Sequence, residues 1–121
     1  MADAYHHALS SARKFGGTFD DYIDVHKFFD QTKNHYASPR HRAVLHSSFG
    51  IGLAISTFGP TIERRDGKEI PTRYIAEQHV LEDCGFIPSI QDWLAQLPLE
   101  EWMQKGPRQL SREFNSTEEE A

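Results

Sequence analysis

"SPRHRAVLHSSFGIGLAISTFG", residues 38–59, decides the architecture. Ser38 is a helix cap, Pro39 suits the first helical position, and Phe58-Gly59 marks a stop. Between them Val44, Leu45, Phe49, Ile51, Leu53 and Ile55 point in every direction at about 100° per residue. A helix that is apolar all round is central and buried, so this stretch predicts one around which the others pack. Its apolar part, 44–58, is interrupted by His46 and several serines and falls short of the roughly 20 residues that cross a bilayer.

Working outward, residues 3–15 predict a first helix capped by Asp3 and stopped by Gly16-Gly17. "TFDD" supplies a capping box from Thr18 to Asp21 and opens a second helix to about Lys33. Downstream, Asp66-Gly67 between short β-prone runs signals a hairpin near 60–73. "RYIAEQHVLEDCG" predicts a fourth helix closed by Gly85, and "PSIQDWLAQL" a fifth with Ser89 and Asp92 as its capping box. "PLEEWMQKG" adds a short last turn. The expected fold is mainly α: a compact helical bundle of about five helices with one short β-hairpin. One helical domain would span 1–106, and 107–121, ending in three glutamates, reads as an acidic, flexible tail.

A net charge of −5 leaves no basic footprint, so neither nucleic acid nor an anionic membrane is expected as a partner. No signal peptide is evident at the start, and a lone cysteine, Cys84, fits a reducing, cytoplasmic setting. P-loop, dinucleotide and nucleophile-elbow patterns are absent. Acids beside Cys84 argue against a catalytic thiolate.

Seven histidines remain to be explained, and helical phase is the guide. In the first helix the apolar face centres on Tyr5, Ala8, Leu9 and Ala12, which puts His6 and His7 on the surface. In the second, His26 and Asp30 share the apolar side one turn apart. In the third, His46 faces inward with Arg42 and Gly50 one turn to either side. His41 is rotated away, toward a loop or water. Gly50 and Gly52 suggest close approach by another helix, or room for a ligand. In the fourth, Ala76, Val80, Leu81 and Cys84 define the inner side. Glu77 is then a buried carboxylate, while His79, Glu82 and Asp83 lie on the polar face.

The inward set is His26, Asp30, His46 and Glu77, drawn from three helices. Two imidazoles with carboxylates suit a divalent transition metal (iron, manganese or zinc), and helical bundles build such sites from inward side chains. If a coordination position stays open, metal-dependent catalysis follows. Arg42, His41, His79, Glu82 and Asp83 would stand around that site. The other reading is a buried polar network in which Arg42 pairs with Glu77 or Asp30 and the histidines are structural. The protein would then be a non-catalytic interaction protein, using Trp93, Trp102 and the acidic tail toward a protein partner, or forming a homo-oligomer.

Several stretches together, "YHHALSSARKFGG", "DYIDVHKFFDQTK", "RHRAVLH" and "EQHVLEDCGFIPSIQDWL", resemble a family of small uncharacterised bacterial and bacteriophage proteins over roughly residues 5–95. The shared pattern is His-His-Ala, then RHRAxxHH, then EQHVxED. It matches His6, His7, Arg40, His41, Arg42, His46, Glu77, Gln78, His79, Glu82 and Asp83. Ser47 stands where the pattern has a second histidine, and Ile55 where it has a glutamate. The resemblance implies no established activity. Its phage members suggest a further class, a small acidic protein that blocks a host defence factor.

Overall fold

Thr18, Ser47 and Ser89 each sit where the chain turns from extended backbone into a helical segment, and these short polar side chains punctuate the whole fold. The computed structural model describes residues 3–105, so the acidic stretch 107–121 and its expected flexibility lie outside them. Among the described residues the α-helices are α1 (Ala4–Phe15), α2 (Ile23–Phe29), α3 (Ser48–Phe58), α4 (Thr72–Cys84) and α5 (Ile90–Leu94). The strands β1 (Thr61–Glu63) and β2 (Glu69–Pro71) pair antiparallel between α3 and α4, with Ile62 opposite Ile70. Mainly helical architecture with one hairpin is thus the observed fold.

Helix α1 begins as expected, with the Asp3 carboxylate accepting from the His6 amide at 3.0 Å. The Thr18–Asp21 box opens a short 3₁₀ turn, Phe19–Asp21, ahead of α2. Asp21 also accepts from the Arg65 amide at 2.9 Å, and Arg64 donates to the Phe15 carbonyl at 2.9 Å. The hairpin is thereby tied to the junction between α1 and α2.

The expected central helix is broken. Pro39–Arg42 forms a 3₁₀ turn capped by Ser38, and Val44 then takes φ 76°. That is the left-handed region, which costs a β-branched residue on the order of 1–3 kcal/mol. Ser47 caps the new helix by accepting from the Gly50 amide at 3.1 Å, and Pro88 receives the Ser48 amide at 2.8 Å. A Cβ on Gly50 would run into the Leu45 backbone, so the close neighbour of that glycine is the chain's own reversal. Gly52 faces open space.

Helix α3 packs along α4, α1 along α2, and α2 along α4. The apolar core at their centre includes Tyr22, Val25, Phe29, Ile51, Ile75 and Val80. Phe49 and Leu53 of α3 and Leu81 of α4 are exposed, at 46%, 38% and 46%. The inward faces of α1 and α4 carry polar side chains beside their apolar ones: His7 and Ser11 from one, Gln78 and His79 from the other.

Candidate metal centre

Five histidines are buried: His7, His26, His41, His46 and His79. His26 enters from α2, His79 from α4 and His7 from α1, while His41 and His46 flank the break before α3. Asp30 ends α2, and Asp83 lies one turn after His79 on α4. One ligand atom each from Asp30, His46, His79 and Asp83 lies within 4.8 Å of all the others.

The individual distances are close. His46 Nε2 is 2.9 Å and His79 Nε2 3.2 Å from Asp83 Oδ2; from Asp30 Oδ1 they are 4.0 and 3.3 Å. His41 Nε2 stands 3.7 Å from the same Asp30 oxygen. Metal–nitrogen and metal–oxygen bonds near 2.0–2.2 Å place neighbouring ligand atoms about 3–4 Å apart, so the spacing fits one central ion.

Several atoms of this cluster lack a hydrogen-bond partner although buried: Asp30 Oδ2, His41 Nε2, Arg42 Nε, His46 Nδ1 and His79 Nε2. Orphaned buried polar atoms are costly and therefore informative. His79 Nε2 sits beside two carboxylates yet makes no well-aligned hydrogen bond to either. His41 Nδ1 lies 2.9 Å from the Ser38 carbonyl, which can only accept, so Nδ1 carries the proton there. In neutral His41 that leaves Nε2 with its lone pair facing Asp30, the arrangement by which a backbone carbonyl orients a metal-ligating imidazole.

Around this cluster runs a hydrogen-bonded shell. His7 lies between Glu82 (Nδ1, 2.8 Å) and Asp83 (Nε2, 3.1 Å). Arg42 donates to the Asp83 backbone carbonyl at 3.1 Å, and its guanidinium lies 3.5 Å from the Asp83 carboxylate. Trp93 Nε1 donates to the His46 carbonyl at 2.7 Å. His26 contacts His79 (Nδ1 to Nδ1, 2.9 Å) and Ser11 Oγ (2.7 Å).

Charge follows these contacts. Burial alone would raise the Asp83 carboxyl, but hydrogen bonds from His46 and His7, with the His79 imidazole close by, outweigh it and hold it far below the usual carboxylate range. For Asp30, too, burial is outweighed by His79, and the net shift is downward. Burial lowers His46 despite Asp83, and pushes His26 down to about 2, with His79 and His7 adding to the effect. At His7 burial is overcome by Asp83 and Glu82, so its imidazole is raised. Burial raises the Cys84 thiol, in keeping with an inert side chain.

Four expectations need correction. His7 is buried and bridged to two carboxylates, not on the surface. His41 faces Asp30, because the break at Val44 resets the phase that separated it from His46. His79 and Asp83 point inward and Glu82 reaches His7, whereas Leu81 faces solvent. Glu77 is half-buried and makes no side-chain hydrogen bond or ion pair among the described residues, and Arg42 pairs with Asp83 in place of Glu77 or Asp30. His26, Asp30 and His46 face inward as expected, His6 is exposed, and His26 stands one residue behind the cluster, against His79. Ser47, where the resemblance has a histidine, is the buried cap of α3.

The inward polar side of α4 was visible only as the spacing of His79 and Asp83, one turn apart within "EQHVLED". Among the described residues no helix is long and apolar enough to cross a membrane. A family model described as a domain of unknown function (DUF6915) matches residues 2–103, and the chain belongs to this family. No curated protein and no solved structure matches it.

Proposed function

We propose that this chain is a divalent-metal-binding helical protein whose ion is held by Asp30, His46, His79 and Asp83, with His41 within reach as a fifth ligand. The observation that carries this reading is the buried His79 Nε2, 3.2 and 3.3 Å from two carboxylate oxygens and hydrogen-bonded to neither. Mixed imidazole and carboxylate donors suit iron, manganese or zinc. A cation there would also offset two carboxylates that face each other across a buried space. Such a centre, with a position left to solvent or substrate, supports metal-dependent hydrolysis or related enzyme chemistry. A reducing, cytoplasmic setting goes with this reading, since Cys84 is the chain's one cysteine.

The test is elemental analysis of protein purified without a histidine tag. About one transition-metal ion per chain is expected, and Asp30→Ala should abolish it. A content well below one per chain that added metal does not restore overturns the proposal.

One feature favours a second reading, in which the protein is a non-catalytic binder of a protein partner. His7 with Glu82 and Asp83, and Arg42 with Asp83, form ion pairs that require no metal. A stoichiometric partner recovered equally by wild type and by a folded His26→Ala, His46→Ala double variant would support it.

A further inference from the structure

The contacts behind His79 have a direction, set by which atoms can only accept. Gln78 Nε2 lies 3.0 Å from the His7 carbonyl and 3.1 Å from Glu82 Oε1. Both of those oxygens are acceptors, so the amide nitrogen must face them and Gln78 Oε1 must face Ser11 Oγ, at 2.6 Å. Ser11 has one hydroxyl proton. It goes to Gln78 Oε1, with the His7 carbonyl a longer second acceptor at 3.2 Å. Ser11 Oγ is left to accept from His26 Nε2 at 2.7 Å, so that nitrogen carries a proton. The next contact, His26 Nδ1 to His79 Nδ1 at 2.9 Å, needs one proton between two nitrogens. Placing it on His26 would make a buried imidazolium whose hydrogen-bond partners are a hydroxyl and another imidazole. Placing it on His79 leaves His26 neutral, and His79 is the ring with carboxylates at its other nitrogen.

We infer that Gln78, Ser11 and His26 are positioning residues: their one-way hydrogen-bond chain holds His79 protonated at Nδ1 and directs its Nε2 toward Asp30 and Asp83 as a metal ligand. The use made of Nε2 rests on the metal reading above; the direction of the chain does not. All four side chains are buried, with His26, His79 and Ser11 at 0% exposure and Gln78 at 3%, so water does not compete for these bonds. An imidazole can ligate through Nε2 only if Nδ1 holds the proton, and a partner at Nδ1 also fixes the ring's rotation. His26, expected from the sequence to be a ligand, acts in this arrangement one step behind the ligand.

Nitrogen-15 NMR of histidine-labelled, metal-free protein tests the direction. His26 is expected as the Nε2–H tautomer, with coupling across the Nδ1–Nδ1 hydrogen bond and the shared proton on His79. A proton on His26 Nδ1 overturns the inference. Zinc competition against a chromogenic chelator tests the consequence, with circular dichroism confirming the fold of each variant. His26→Leu removes the acceptor and should weaken zinc binding by about 10- to 100-fold, as outer-shell losses do. His26→Asn keeps an acceptor near the Nδ1 position and should bind close to wild type. Equal weakening by both overturns the positioning role. If His26→Leu does not fold, Ser11→Ala takes its place, and unchanged His26 tautomer and affinity there count against the chain. Wild-type protein that shows these tautomers but binds no zinc overturns the metal reading alone.

Discussion

Asp83 and Asp30 face the same cluster but carry different burdens, and that difference can be measured. Asp83 is contacted by His7, His46, His79 and Arg42, with its side chain at 4% exposure. Removing it leaves the Arg42 guanidinium without its carboxylate, and the buried imidazoles of His7 and His46 without that acceptor. Breaking a buried pair from one side costs on the order of 3–5 kcal/mol. Asp83→Ala should therefore lose that much stability to urea even in metal-free protein. Asp30 has an unpartnered Oδ2 and no arginine or lysine within ion-pair distance among the described residues. Asp30→Ala should lose metal while costing metal-free protein much less. Equal destabilisation by both would mean that Asp30, too, is a structural partner. His26, Asp30 and His46 were legible as inward residues because the apolar stripe of α2 and the apolar run around His46 are strong. His7, His79 and Asp83 were not, since phase reasoning assumes that the apolar side of a helix is the inner one. In α1 and α4 the inner side is mixed, with Ala8, Ile75, Ala76 and Val80 buried beside His7, Ser11, Gln78 and His79, and Tyr5 and Leu81 are left outside, each at 46% exposure.

The segment before α3 shows how a single local reversal decides what an element presents. Ser38, Pro39 and Gly59 read correctly as start and stop signals, but the sequence pattern predicts one unbroken helix of about five turns between them. Val44 in the left-handed region and Ser47 as a second cap divide the stretch, and no periodicity count detects that. Ser47 followed three residues later by Gly50 was the available hint, since Gly50 is needed where the reversal folds back on the helix. The two glycines of α3 should accordingly behave in opposite ways. Gly50→Ala drives a methyl group into the Leu45 backbone, and overpacking of this kind costs about 1–3 kcal/mol. Gly52→Ala meets nothing within 4 Å and should stabilise by about 0.5–1 kcal/mol through helix propensity and reduced unfolded-state entropy. Denaturant midpoints of the two variants check both signs at once. The hairpin has a similar handle: Asp21→Ala removes the capping-box carboxylate and the acceptor of the Arg65 amide, and should cost about 1 kcal/mol.

For the molecule as a whole, a core of imidazoles makes stability depend on pH and on metal in separable ways. In metal-free protein His26 stays neutral in the fold, down to about 2, whereas in the unfolded chain it takes a proton below its ordinary 6.5. As pH falls from 6.5 the unfolded state thus binds an extra proton and stability declines; His46, also lowered, acts in the same sense. Asp83, depressed in the fold, adds a loss as pH falls below its ordinary 3.8. His7 is raised, so its contribution is complete below 6.5 and is lost as pH rises through its folded value. Metal-free protein should be most stable near neutrality, and a urea midpoint that rises on acidification from pH 7 to 5 would contradict the neutral burial of His26. Metal adds a second term, because an ion that binds only the folded chain stabilises it by about 2.7 kcal/mol at one hundred times its dissociation constant. For a domain of this size that is a melting shift on the order of 10 °C. Zinc added to chelator-stripped wild type should raise the melting temperature by that order, and Asp30→Ala should show no rise. A shift of equal size in both proteins would place the bound zinc somewhere other than between α2 and α4.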